Sequence, residues 1–333
     1  MTGSSDTFTV AAVQAAPVFL DLEASTEKAC ALIREAEEHG ADLAVFPEDF
    51  LPGYPLWTWF IPPVQTHPLR ELYAELHAQS VSLSGPAVMR LCEAAMEARI
   101  TVAIGINEVN TEASSATLYN TLLYISHEGT VLGRHRKLIP TAAERLIWGR
   151  GNGGDLDVYD TPVGRLGGLI CWEHYMPLAR YALSTLGIQV HVAPTWDRGE
   201  PWTSTLRHIA KESRCPVIGS CQPFHMDDIP DRLAFKTEYL ADAPDWLNPG
   251  GSVIINPDGK IIDGPLLEKE GFLYATFNRT ELVGPRWQLD TAGHYSRPDI
   301  FTLHWRRHPD EMLRFQQGLR PHTPEADAEF DPD

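Results

Sequence analysis

Apolar positions follow two alternating rhythms along the chain. FTVAAVQAA (Phe8 to Ala16) is a β-branched apolar run that predicts a buried strand. From Leu22 to His39, Ala29, Leu32, Ile33 and Ala36 recur at helical spacing, and Gly40 stands where it can cap the end. ADLAVFPE predicts the next strand, stopped by Pro47, and a second helix from Gly85 to Ala98 leads into the strand ITVAIGINEV. YNTLLYIS and TVLGRHRK flank His127, Glu128 and Gly129, which predicts a β-hairpin with glycine in its turn. LGGLIC reads as another core strand. Helical patterns at Pro177 to Leu186 and Thr203 to Ser213 flank the strand QVHVA, and PVIGSC follows the second. GSVIINPDGKIID is a hairpin around Pro-Asp-Gly, and GFLYATFN closes the series.

Strand–helix alternation mixed with hairpins predicts a large mixed α/β sheet system rather than a pure βαβ array. No linker or internal repeat divides the chain, so one domain is expected over residues 7–305, with a C-terminal extension at 306–333. The last stretch, PEADAEFDPD, is acidic and reads as a disordered, solvating tail. GRGNGGD (Gly149 to Asp155) is glycine-rich but is neither a Walker loop nor a dinucleotide fingerprint, so no nucleotide cofactor is expected.

With 43% hydrophobic and 22% charged residues in 333, the composition is that of a soluble protein with a sizeable core. No apolar run approaches the ~20 residues that span a bilayer. MTGSSDTFTV has neither the charge nor the apolar stretch of a signal peptide, so a cytoplasmic location is expected. The net charge of −18 disfavours nucleic acid and anionic membranes as partners and leaves a small molecule or a second copy of the chain. Five cysteines without a C-x-x-C pair, and 13 histidines without an H-E-x-x-H helix, predict neither a disulfide framework nor a metal site.

Three reactive residue types stand at three predicted strand ends: Glu48 after LAVFP, Lys137 in GRHRKLIP and Cys171 in GGLICWEHYMP. A thiol becomes a useful nucleophile only with a base or a cation beside it, and open α/β folds build their sites at strand ends. Taken singly, each has a plainer reading: an inert core cysteine, a solvated carboxylate, a surface lysine among arginines. Spacing alone does not bring the three together.

FPEDFLPGYP around Glu48, RHRKLIPTAAERLIWGRGNG around Lys137 and GGLICWEHYMPLAR around Cys171 closely resemble the nitrilase branch of the carbon–nitrogen hydrolase superfamily. HVAPTWDRG (His191 to Gly199) and DTAGHYSRPDIF (Asp290 to Phe301) resemble further stretches of that branch, in the same order. The resemblance implies an αββα four-layer sandwich that pairs into a dimer or a larger spiral homo-oligomer, with the C-terminal extension as a possible aid to assembly. It implies hydrolysis of an organic nitrile to the carboxylic acid and ammonia, with no metal or organic cofactor. Cys171 would be the nucleophile, Glu48 the general base and Lys137 the stabiliser of developing charge, assisted by the Trp172 backbone N–H. Glu144 in TAAER would orient Lys137; its plainer reading is a carboxylate at a helix start.

Tyr54, Trp172 and Trp196 resemble substrate-lining residues of the branch, and Trp57, Trp59 and Phe60 could add an aromatic wall. Nine tryptophans would equally suit a core or an interface, and the choice among aliphatic, aromatic and arylacetonitrile substrates stays open. His135 and His174 match no catalytic position and are expected to support the site from behind. The alternatives are a cyanide dihydratase or amidase of the same superfamily, and a non-catalytic assembly protein of the same fold.

Overall fold

A computed structural model describes residues 6–112 and 114–307. Its strands are β1 (Thr7–Gln14), β2 (Leu43–Val45), β3 (Thr101–Val109), β4 (Leu118–Ile125), β5 (Val131–Arg136), β6 (Tyr159–Thr161), β7 (Gly164–Gly168), β8 (Val190–Thr195), β9 (Val217–Cys221), β10 (Pro223–His225), β11 (Trp246–Ile255), β12 (Ile261–Leu267) and β13 (Gly271–Asn278). The helices are α1 (Leu22–Glu38), α2 (Thr66–Ala78), α3 (Pro86–Ala98), α4 (Pro177–Thr185), α5 (Glu200–Ser213) and α6 (Phe235–Tyr239). The strands form two sheets. One runs β13-β1-β2-β3-β4-β5, and the other runs β10-β11-β9-β8-β7-β6, with β12 paired to β11.

The period of two along β1 dictates the layering. Ala11 and Val13 face one way and pack, with Ala44 of β2 and Val102, Ile104 and Ile106 of β3, under α1 (Ala29, Ile33, Ala36) and α3 (Val88, Leu91, Ala95). Val10 and Ala12 face the other way and meet Val190, Val192, Ile218 and Ile254 of the second sheet. The far side of that sheet is covered by Trp202, Leu206 and Ile209 of α5 and by Ala179, Ala182 and Leu183 of α4. The order is helix, sheet, sheet, helix: the four-layer αββα sandwich. Each central strand is buried on both faces, which is why its sequence is an almost unbroken apolar run.

The sequence reading finds most of these elements and passes over α2, α6, β6 and β10. It also carries one strand too far. LGGLIC is not continuous strand, because β7 stops at Gly168 and a 3₁₀ turn begins at Cys171. Of the expected extension at 306–333, Arg306 and Arg307 are described, and the remainder, including the acidic end, lies outside the described residues. The glycine-rich GRGNGGD has a packing reason instead of a phosphate: a Cβ on Gly153 would stand 2.3 Å from the Arg306 carbonyl oxygen, and Trp305 Nε1 donates to the Gly153 carbonyl at 3.0 Å. Those glycines seat the outgoing chain. Among the described residues no helix is long and apolar enough to cross a membrane.

One glycine sets the position of the segment after β2. A Cβ on Gly105, in β3, would lie 2.3 Å from the Pro47 carbonyl oxygen and 2.4 Å from the Asp49 amide nitrogen. Only a residue without a side chain lets the backbone on either side of Glu48 lie flat on the sheet edge.

Candidate active site

Four strand ends converge at one end of the sandwich. Glu48 follows β2, Lys137 follows β5, Cys171 follows β7 and Thr195 ends β8. The Lys137 side chain is fully buried, and its Nζ donates to Glu48 Oε1 and to Glu144 Oε2, both at 2.7 Å. Glu48 is fixed further by Asn120 Nδ2, which donates to Oε1 at 2.7 Å, and by the Trp196 backbone N–H, which donates to Oε2 at 2.8 Å. Glu144 lies in a 3₁₀ turn (Ala142–Leu146), where its carboxylate also accepts from the Thr141 N–H at 2.7 Å and the Tyr54 hydroxyl at 2.8 Å. Every oxygen of the two carboxylates has a donor. That satisfaction is what makes a buried ionic cluster tolerable.

The electrostatics separate the three reactive groups. Burial pushes the Glu48 carboxyl up, Lys137 pulls it back and Glu144 adds repulsion, with a net rise above the usual carboxylate range. Burial alone would discharge Lys137, but the Glu48 and Glu144 carboxylates outweigh it and hold the ammonium well above its ordinary value. The Cys171 thiol is pushed well up, first by burial and then by Glu48, against the pull of Lys137. At neutral pH the sulfur is therefore a thiol, and Thr195 Oγ1 donates to it at 3.1 Å.

Cys171 adopts φ = 50°, a left-handed backbone that costs a non-glycine residue on the order of 1 kcal/mol. The sequence gives no sign of this, since cysteine has no preference for that region. The surroundings impose it. His174 Nδ1 donates to the Cys171 carbonyl oxygen at 2.7 Å, and His174 Nε2 lies 2.9 Å from His191 Nε2. With the proton on Nδ1, neutral His174 must accept at Nε2, so His191 carries its proton on Nε2 and donates.

Both imidazoles are buried, and burial lowers His174 to about 4 and His191 well below the usual value. The unfolded chain binds protons at these groups near pH 6.5, whereas folded His174 does not until about pH 4 and His191 is held lower than usual by burial and by His174. Stability is thus complete above pH 6.5 and lost on acidification, by roughly 3 kcal/mol from His174 alone. The urea midpoint should fall steadily between pH 7 and 5, and His191→Gln, which still donates to His174, should flatten that fall. His135 acts in the opposite sense. Burial would lower it, but Glu173 raises it, so its contribution is complete at low pH and lost as pH climbs through the raised value.

The cluster opens onto a cavity of about 370 Å³ lined by Cys171, Glu144, Tyr54, Trp172, Trp196 and Leu247, among others. Tyr54 and Trp196 stack at 4.4 Å with planes 5° apart. Tyr54 thereby joins the Glu144 carboxylate to the aromatic wall. Trp172 is half exposed at the mouth, and its Nε1 donates to Asp197 Oδ2 at 2.8 Å. Trp59 and Phe60 line the cavity as the sequence suggests, and Trp59 Nε1 donates to the Tyr54 hydroxyl at 2.9 Å. Trp57 does not. It is fully buried among Phe19 and Phe235, away from the cavity lining.

Glu48, Lys137 and Glu144 therefore meet directly, and Cys171, Tyr54, Trp172 and Trp196 join Glu144 around one cavity. Sequence reasoning misses Asn120, Thr195, Glu173 and His191. Each sits in a strand or turn where its type looks ordinary, and only the fold gives it a reactive neighbour. Among the described residues, no group of three or more His, Cys, Asp or Glu side chains is arranged to hold a metal ion.

Comparison with known proteins places the chain. The carbon–nitrogen hydrolase family model matches residues 9–284. The chain is 42% identical over 299 residues to an aliphatic nitrilase of Sinorhizobium fredii, covering 89% of this chain and 94% of that one. It is 41% identical over 308 residues to nitrilase 2 of Arabidopsis thaliana (91% and 90%), and 38% identical over 320 residues to a bifunctional nitrilase/nitrile hydratase of Nicotiana tabacum (94% and 90%). Among solved structures, a Saccharomyces cerevisiae member of branch 10 of the nitrilase superfamily superposes with a TM-score of 0.68 at 18% identity, covering 87% of this chain and 96% of that one. A mutant amidase of the nitrilase superfamily from Nesterenkonia AN1 gives 0.61 at 19%, covering 85% and 95%. The two structures share the fold and the sequence relatives carry the kinship: the chain belongs to the carbon–nitrogen hydrolase family, in its nitrilase branch.

Proposed function

We propose that the protein hydrolyses an organic nitrile to the carboxylic acid and ammonia through a covalent intermediate on Cys171. The observation that carries this reading is the juxtaposition of a buried thiol, facing an aromatic cavity, with an ammonium held between two carboxylates. A nitrile is a weak electrophile. It needs a soft nucleophile and a proton delivered to nitrogen as the C–S bond forms.

Glu48 takes the Cys171 proton as the sulfur attacks the nitrile carbon and passes it to the substrate nitrogen, which gives a neutral thioimidate and leaves Glu48 a carboxylate again. Lys137, and the backbone N–H of Trp172, face the charge developing on nitrogen. Glu48 then activates a water, which adds to the thioimidate carbon. The tetrahedral adduct loses ammonia and leaves an acyl-thioester, and a second water releases the acid and restores the thiol. Glu144 and Tyr54 keep Lys137 oriented throughout. Asn120 and the Trp196 amide aim Glu48 in the same way.

The aromatic lining and modest volume suit a small substrate with an apolar R group. The protein is taken as cytoplasmic and self-associating, as a dimer or a larger spiral. The test is ammonia release from aliphatic, aromatic and arylacetonitriles, with acid and amide both quantified. Acid and ammonia in equal amounts from one class are expected. Silence on nitriles with turnover of amides would replace this reading with an amidase.

A further inference from the structure

Glu173 is the one residue of the Cys-Trp-Glu triplet that faces away from the cavity. Its carboxylate is fully buried and accepts four hydrogen bonds. Oε2 accepts from the Ile170 backbone N–H at 2.6 Å, and Oε1 accepts from the Leu138 backbone N–H at 2.6 Å. His135 Nε2 donates to both oxygens, at 2.9 and 3.1 Å. Ile170 immediately precedes Cys171, and Leu138 immediately follows Lys137. These two peptides follow strands of different sheets, Leu138 after β5 and Ile170 after β7.

We propose that Glu173, held by His135, is a positioning residue that fixes the distance between the Cys171 nucleophile and the Lys137 ammonium by tying together the ends of the two sheets. Interdigitated apolar side chains hold facing sheets about 10 Å apart with some lateral slack. A carboxylate bonded at both oxygens to backbone amides removes that slack where the chemistry occurs. Burial would raise Glu173, but His135 and the two amides hold it below the usual carboxylate range. Because it does not line the cavity and bonds the backbone beside each residue, it acts through Cys171 and Lys137 alone.

This inference rests on the nitrilase reading and reaches its product ratio. The adduct on Cys171 carries OH, NH2 and sulfur on one carbon. If the C–N bond breaks, the hydroxyl proton passes to nitrogen, ammonia leaves and a thioester remains. If the C–S bond breaks, that proton passes to sulfur, the thiol is regenerated and an amide leaves. A lysine held in register favours nitrogen as the leaving group. A lysine that has drifted does not.

Glu173→Gln tests this. An amide accepts from only one of the two backbone N–H groups, and its NH2 meets the other. We expect kcat for acid formation to fall roughly 10- to 100-fold, with KM changed less than about threefold, and the amide share of product to rise. His135→Ala, which leaves the carboxylate in place, should shift the amide share in the same direction by less, and His135→Gln, which can still donate, should restore it. Wild-type release of acid and ammonia tests the nitrilase reading, whereas the variant-to-wild-type ratios test the tie. If Glu173→Gln lowers the melting temperature but leaves kcat per folded site and the amide share unchanged, the residue is only structural. Should Glu173→Gln fail to fold, an unchanged amide share in His135→Ala overturns the proposal.

Discussion

Cys171→Ala is expected to lower nitrile turnover by a factor on the order of 10⁵ or more, while leaving the fold intact. The change removes the only buried sulfur that faces the cavity among its lining residues. It keeps the backbone cost at φ = 50° almost unchanged, because alanine and cysteine are equally ill suited to that region. Loss of the sulfur leaves the buried Thr195 Oγ1 without its acceptor, so a stability penalty of about 1–3 kcal/mol is expected. Ammonia release and thermal unfolding, measured side by side, check the expectation. Full activity in Cys171→Ala would make the thiol a core residue and end the covalent mechanism.

Lys137→Met should cost both activity and stability, and the two can be taken apart. Removing the ammonium leaves the Glu48 and Glu144 carboxylates buried without their shared counter-charge, for which a loss of about 3–5 kcal/mol is usual. The lost stabilisation of charge on the substrate nitrogen adds a fall in kcat of roughly 10²–10³. Lys137→Met combined with Glu144→Gln removes one of the orphaned charges. Urea titration of the pair should show part of the stability regained with no gain in kcat. Activity recovering along with stability would mean that Lys137 serves the fold and not the reaction.

The elements of the first two layers are legible because the β1, β2 and β3 segments are apolar on both faces and α1 and α3 carry apolar stripes of helical period, whereas the four-layer order comes from the family resemblance. Helix α2 was hidden for a local reason. It begins at Thr66, three residues beyond Pro63 and with Pro68 in its first turn, so its Leu69, Leu72, Tyr73 and Leu76 stripe lies against a proline-rich stretch that reads as loop. The site residues divide in the same way. Glu48, Lys137 and Cys171 stand out because each follows a strand within a motif, and Glu144 stands out only through the family resemblance. Asn120, Thr195 and Glu173 do not, because an asparagine at the start of a strand or a glutamate in a turn acquires its role only when another sheet is laid against it. The left-handed backbone at Cys171 belongs to that second class, since nothing in the local residue types calls for it.

The resting state of the sulfur has a consequence for how long such a molecule keeps working. Peroxide and other oxidants attack thiolates far faster than thiols, and they attack exposed sulfur before buried sulfur. Cys171 is 4% exposed and held well above its ordinary titration range by burial and by Glu48. In the proposed mechanism it gives up its proton only as the sulfur attacks the nitrile carbon. The burial that would make the proposed nucleophile wait for its substrate therefore also shields this sulfur from oxidative ageing.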